Sequence, residues 1–221
     1  MATRSRALVV VLAAATLAGC GSGGNGRIEG SGAAMTETRS LGAFTRVELA
    51  GGATVHVHPG SPQAVTVSGD DNIVPLVTTR VENGTLVVDQ EKNRDFATRE
   101  PLVVDIRAPG LTASVLSGAG SMTVDGVSGP TFTAEVSGLG SLDVAGAVLG
   151  LHADVSGSGS ALLDHLVSKD ATVVLSGMGS AHVFATHSLN ASVDGMGSVV
   201  YGGNPQHVQK QVTGAGAVAA E

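Results

Sequence analysis

The sequence predicts an all-β fold, a β-solenoid wound in coils of about 19–20 residues. Three observations predict it. A five-residue motif recurs at near-constant spacing. The segments between its copies alternate apolar and polar residues with a period of two. The stretch before the repeats carries the same alternation, broken by turn signals.

The motif is Ser117-Gly118-Ala119-Gly120-Ser121, which returns as Ser137-Gly138-Leu139-Gly140-Ser141, Ser156-Gly157-Ser158-Gly159-Ser160 and Ser176-Gly177-Met178-Gly179-Ser180. Looser copies follow at Asp194-Gly195-Met196-Gly197-Ser198 and Thr213-Gly214-Ala215-Gly216-Ala217. The first glycines fall at 118, 138, 157, 177, 195 and 214, so the steps are 20, 19, 20, 18 and 19. A period in this range marks a repeat architecture whose units stack on one another. Gly118, Gly120, Gly138, Gly140, Gly157, Gly159, Gly177, Gly179, Gly195 and Gly197 are therefore expected to form stacked corners. Positive φ at glycine is the expected reason for the turn, with serine hydroxyls bonding backbone groups that the turn leaves unpaired.

Between corners the chain reads as strand. Met122 and Val124, Leu142 and Val144, Ala161 and Leu163, Ala181 and Val183, and Val199 and Tyr201 share one face after each corner. Phe132, Ala134 and Val136 lead into the next corner, as do Leu151, Ala153 and Val155, then Ala171, Val173 and Leu175, then Leu189, Ala191 and Val193. Alternation in register with the repeat means one face in and one face out. Small and branched inward residues suit a narrow interior. Lys210 breaks the pattern, standing where the register asks for an inward residue, so the last coil is expected to slip in phase or act as a cap.

The chain has 221 residues and 32 glycines without a three-residue period, which excludes collagen. Its first residues read as a targeting signal, with Arg4 and Arg6 ahead of an apolar run, Ala7 to Leu17. The run ends in Leu17-Ala18-Gly19-Cys20, the pattern of a bacterial lipoprotein signal in which Cys20 is lipidated. Residues 1–19 are thus the expected signal peptide, 20–34 a Gly/Ser-rich tether and 35–221 a single folded domain. The anchored chain is expected in the bacterial cell envelope, held to the membrane by lipid. Gly21, rather than an acid after Cys20, favours the outer membrane where the organism has one. Cys20 is the only cysteine, so no internal disulfide or cysteine metal motif exists. Loss of the signal leaves 10 basic against 19 acidic residues, a net charge of −9 that disfavours nucleic acid as a partner.

Ahead of the repeats, Phe44–Leu49, Ala53–His58 and Ala64–Ser68 alternate and stop at turn residues. Leu76–Glu82 and Thr85–Asp89 flank Asn83-Gly84, a strong hairpin signal, and Leu102–Ile106 is a further strand. The charged stretch Glu91–Glu100 is expected as an exposed loop.

Several pieces, in order, resemble one bacterial family, the putative auto-transporter adhesin head GIN domain. They are Thr36–Arg39 with Gly42, Phe44 and Val47–Leu49, then Val55–Val57, Asp70–Asn72 with Ile73 and Pro75, Glu82–Leu86, and the Ser-Gly-x-Gly-Ser corners. The resemblance covers roughly Gly30 to Ala217. It implies a right-handed parallel β-helix similar to the pectin-lyase class, a surface location and an adhesive role. It implies no catalytic residues. The corners here end mostly in Ser, where the family often has an acid or Asn, which speaks against cation binding at the corners.

Candidate chemistry is sparse. Solenoids of this class include polysaccharide-cleaving enzymes, and Glu135, Asp154 and His152 fall on one outward face. Polar residues on a solvated strand face are expected without function, however. His56 and His58 are two apart on a strand and point the same way, a pair suited to a transition metal but with no third ligand evident. Asp125 and Asp164 follow corners, but not in every coil, so a calcium ladder is not expected. Gly-x-Gly is frequent, yet no helix follows to cradle a phosphate. No catalytic residue, metal or cofactor is assigned. The expected function is non-enzymatic: adhesion, scaffolding or binding of a surface glycan or envelope protein, with self-association through the edge of the last coil as a further route. The alternatives are a polysaccharide-active enzyme on the same fold and an envelope signalling lipoprotein.

Overall fold

The computed structural model describes residues 27–91 and 94–221. Cys20, the expected signal peptide and residues 20–26 of the expected tether lie outside them. The chain enters with β1 (Ile28–Glu29) and β2 (Ala34–Arg39). β3 (Arg46–Leu49) turns through residues 50–53 into β4 (Thr54–Pro59) to make the first coil. The path then leaves the coil through β5 (Ala64–Asp70), a 3₁₀ turn at Val74–Leu76, β6 (Val77–Glu82), β7 (Thr85–Gln90), β8 (Phe96–Ala97) and β9 (Val103–Ala108). β10 (Ala113–Leu116) rejoins it. Four long strands then run from corner to corner: β11 (Ser121–Val136), β12 (Ser141–Val155), β13 (Ser160–Gly177) and β14 (Ser180–Gly195). β15 (Ser198–Gly202), β16 (His207–Gly214) and β17 (Ala217–Ala220) complete the stack.

The result is the all-β solenoid the repeat predicts. Each coil has a limb after its corner and a limb before the next. After-corner limbs pair in parallel in the spatial order β9, β4, the starts of β11 to β14, β15 and β17. Before-corner limbs pair in parallel in the order β7, β3, β10, the ends of β11 to β14, and β16. The 18-to-20-residue variation in step is absorbed between limbs, where the register shifts at Val124/Val127, Asp143/Gly146 and Leu163/Val167. The corners themselves stay in register, Ser121 beside Ser141 and Ser141 beside Ser160.

The alternation marks most of the inward set; Val127, Val148, Leu166 and Ala185, buried between the limbs, add one residue per coil that it does not name. Met122, Val124, Leu142, Val144, Ala161, Leu163, Ala181 and Val183 are buried, as are the residues from Phe132 to Val193 that lead into corners. Tyr201 is partly buried against the same core. Burying each Val or Leu contributes roughly 1.5–3 kcal/mol. Lys210 does stand in an inward row, paired with Ala191, with no phase slip. Its Nζ leaves the row, donates to the Val218 carbonyl at 3.3 Å and sits 4.7 Å above the Tyr201 ring.

The corners correct one expectation. Among the first glycines of the motif, Gly177, Gly195 and Gly214 have positive φ, while Gly118, Gly138 and Gly157 do not. What every corner needs is closeness. A Cβ on Gly138 would overlap the carbonyl oxygen of Gly118, and one on Gly140 that of Gly120. Backbone N–H groups use this closeness: Leu139 donates to Gly118 at 3.1 Å, Ser160 to Gly140 at 2.9 Å, and Met178 to Gly157 at 3.2 Å. The sheet ladder thus continues through the turn, and a corner hydroxyl adds to it where Ser117 Oγ reaches the Leu49 carbonyl at 3.5 Å.

The lower end is built differently. β6 folds back on β7 as an antiparallel hairpin at Asn83-Gly84, whose φ values of 51° and 76° are the positive pair a tight two-residue turn requires. β5 pairs antiparallel with β9, and β2 with β5. Two parts of the expected 20–34 tether are in strands: Ile28–Glu29 pairs with Phe96–Ala97, and Ala34 begins β2. The same pairing places a strand inside Glu91–Glu100, which reads as loop from its charge alone. A buried carboxylate organises the junction. Asp70 accepts N–H bonds from Gly32 at 2.6 Å, Arg99 at 2.9 Å and Glu100 at 3.1 Å. Burial pushes its pKa up, but these donors and the Arg99 charge outweigh it and hold the carboxyl below its usual value.

Candidate functional site

Each corner projects the residue between its two glycines straight into solvent. Stacked coil on coil, Ala119, Leu139, Ser158, Met178, Met196 and Ala215 form a ridge along the solenoid, at about 4.8 Å per coil. Leu139 is 73% exposed, Met178 63% and Met196 66%. The fold does not demand apolar side chains there, since Ala and Ser occupy the same place in other coils. Large exposed apolar side chains arranged in a row point to contact with something else.

Hydroxyl rows run along both flanks. On one side Thr54, Ser121, Ser141, Ser160, Ser180 and Ser198 stand in register on consecutive strands. Ser180 donates to Ser160 at 3.1 Å and Ser121 to Thr54 at 3.4 Å. On the other side lie Ser117, Ser137, Ser156, Ser176, Asp194 and Thr213, the last three in register. Ser117 donates to Glu48 at 2.9 Å. A crest carrying Leu139, Met178 and Met196, interrupted by Ser158, between polar rows that are hydroxyls except at Asp194 can exclude water at its centre and satisfy hydrogen bonds at its margins, the arrangement of a protein contact surface.

The sequence profile of the family described as "Putative auto-transporter adhesin, head GIN domain" matches residues 43–205. The chain belongs to that family. No curated protein matches it in sequence. Among solved structures, this head GIN chain is similar to a putative adhesin from Bacteroides fragilis NCTC 9343, with a TM-score of 0.75 and 20% identity over 88% of this chain and 100% of that one. It is also similar to a putative lipid binding protein and a putative adhesin from Parabacteroides distasonis ATCC 8503. Each has a TM-score of 0.53 and covers 89% of this chain and 100% of its own, at 17% and 18% identity respectively. At these identities the likeness is one of fold.

The other candidate residues of the head GIN chain fall outside the ridge. Glu135 and Asp154 sit side by side on consecutive strands, with His152 two residues before Asp154 on the same outward face, and Arg46 lies 3.9 Å from Glu135. His56 and His58 do share a face, their rings nearly parallel and 6.3 Å apart. His58 Nδ1 lies 3.3 Å from Asp125 Oδ2. Asp164 pairs instead with the next residue, His165, at 3.6 Å.

One cluster has no counterpart in the sequence reading. Asp170 Oδ1 accepts from the Ser188 hydroxyl at 2.6 Å and contacts His187 Nδ1 at 2.7 Å. The hydrogen bond from Ser188, then that with His187, hold the Asp170 carboxyl below its usual pKa despite partial burial. His207 packs edge to face on His187 with ring centroids 5.5 Å apart. The signal was present in the spacing: Asp170, Ser188 and His207 are 18 and 19 residues apart, one coil each.

Proposed function

We propose that this chain is a non-enzymatic, lipid-anchored binding protein of the bacterial cell envelope that adheres through its corner ridge to a protein surface. The carrying observation is the row of exposed Leu139, Met178 and Met196 between hydroxyl rows. Membership of the head GIN family supports the adhesive reading. The lipoprotein pattern ending at Cys20 supports the anchor, in the outer membrane where the organism has one. A protein partner fits better than a glycan, because methionine adapts to varied apolar contacts, while sugar faces favour stacking aromatics and the chain has no Trp and one Tyr. A sugar-cleaving site would need an acid and a base converging on a bound substrate. Glu135 and Asp154 stand side by side on an outward sheet face, with Arg46 3.9 Å from Glu135.

Cells displaying the full chain should adhere to immobilised envelope and extracellular proteins. A Leu139→Ser, Met178→Ser, Met196→Ser triple variant should lose that adhesion while keeping its thermal stability. Unchanged adhesion would remove the ridge from the reading, and a specific glycan-array hit would move the ligand to sugars. Cys20→Ser should release the protein from the membrane fraction; retention there would remove the lipid anchor.

A further inference from the structure

We propose that His187 and His207 form an open binding site for a divalent transition-metal ion of the zinc class, with Asp170 as the positioning residue. The inference is independent of the ridge and of the adhesive reading. It starts from the coil register. β13, β14 and β16 stack so that Asp170, Ser188 and His207 stand in one row, with His187 immediately ahead of Ser188.

Asp170 sets which nitrogen of His187 donates. Its carboxylate can only accept, so the 2.7 Å contact makes His187 Nδ1 the donor. In the neutral ring that leaves the Nε2 lone pair free. Ser188, donating to the same oxygen at 2.6 Å, fixes the carboxylate in turn. A carboxylate holding one ring nitrogen, with the other left without a proton, is the arrangement that orients metal-ligating histidines. The second imidazole is in place, its centroid 5.5 Å away and its plane at 73°. His207 is exposed, so its ring can turn to share an ion at the ~2.0–2.1 Å typical of zinc–imidazole bonds.

The same contacts exclude a nucleophilic triad. Ser188 donates to Asp170 rather than to the imidazole, so no base is set to take its proton. Among the described residues no three His, Cys, Asp or Glu side chains are placed to hold a metal ion together. The site therefore supplies two nitrogens and leaves the remaining positions to water or to a donor from a partner. Imidazole donors select zinc-class ions over Ca2+ and Mg2+, which take oxygen ligands. His56 and His58 make a natural internal control: their rings are 6.3 Å apart and nearly parallel, and His58 is held by Asp125 at the longer distance of 3.3 Å.

The test is calorimetric titration of the full chain with Zn2+, and separately with Ca2+. The expected result is one Zn2+ per chain, weakened by His187→Ala and by His207→Ala. Asp170→Ala, which keeps both nitrogens but removes the acceptor that orients His187, should weaken it about 10–100-fold. His56→Ala should leave it unchanged. Cu2+ bound to the unmutated chain should show two imidazole nitrogens in its electron paramagnetic resonance spectrum, a readout that depends on no variant folding. No Zn2+ binding, equal affinity for Ca2+, a one-nitrogen spectrum, or loss with His56→Ala but not with His187→Ala would each overturn the proposal.

Discussion

The coils from β10 onward and the coil made by β3 and β4 reach the same stacked geometry by different routes. In the repeat half each coil lies on the one made just before it, about 20 residues earlier, and one motif closes every corner. In the first half the coil made first is second in space. β7 and β9, made later, lie beneath β3 and β4, and β10 and the start of β11 then return to cover them. The repeat half is held by a regular interior and by corners that touch backbone to backbone. The first half depends on antiparallel additions and on single polar anchors such as Asp70. Regular stacking distributes stability over equivalent units, whereas an irregular end concentrates it in a few residues.

Breaking the interior of the repeat half should have the largest effect. Val144 is fully buried in mid-stack, and Val144→Asp places a charge there without a partner, at a cost of about 3–5 kcal/mol. Chemical unfolding measures it, and a midpoint near that of the parent would mean that this face is solvated. In the first half the matching lesion is Asp70→Ala, which strips three N–H groups of their acceptor. Hydrogen exchange should accelerate at Gly32, Arg99 and Glu100 before it does in the repeats. The parent should also carry an acid-labile increment. Because the folded Asp70 pKa lies below its usual 3.8, its contribution is present above that pH and is lost as pH falls through the folded value. A pH-stability profile that keeps the same acid limb in Asp70→Ala would assign the limb to other carboxylates.

Glycine sharpens the contrast. Gly138→Ala should cost about 1–3 kcal/mol, because the new Cβ meets the Gly118 carbonyl and the two corners must part. Gly84→Ala meets open space but keeps a φ of +76°, so about 1 kcal/mol is expected from backbone strain alone. Thermal melts that reverse this order would return the corners to a conformational explanation. The smallest effect belongs to the ridge: Met178→Ser should change stability by no more than about 0.5 kcal/mol, since the residue is 63% exposed.

Much of the repeat half is legible in the sequence because its physics is local. Period-two alternation and a fixed step name nearly every inward residue from Met122 to Val199, and Asn83-Gly84 names its hairpin outright. Coil order is not written in any local pattern: β3 pairs with β7 and β10, about 39 and 67 residues away, and nothing in Arg46–Leu49 states which comes above or below. The burial of Asp70 escapes for a related reason, since an Asp-Asp-Asn run reads as surface turn until its three donors are in view. The corner glycines are legible by position but not by cause, because a clash with the neighbouring coil has no signature in one coil's residues. The Asp170 cluster is legible only as the one-coil spacing of Asp170, Ser188 and His207; that these side chains meet is not, since they belong to three strands.

The displaced first coil also sets a timetable for synthesis. Every coil of the repeat half can settle as soon as its own residues have left the ribosome, with a finished neighbour waiting to receive it. β3 cannot. It is made early, gains β7 only when residue 88 has emerged and β10 only at Leu116. Until then the nascent chain carries an apolar strand, Val47 and Leu49 included, with both edges open. The growing protein therefore passes through a vulnerable interval set by the order of its coils, which ends for β3 just before the first serine-glycine corner appears and for β4 just after it, at Ser121–Val124.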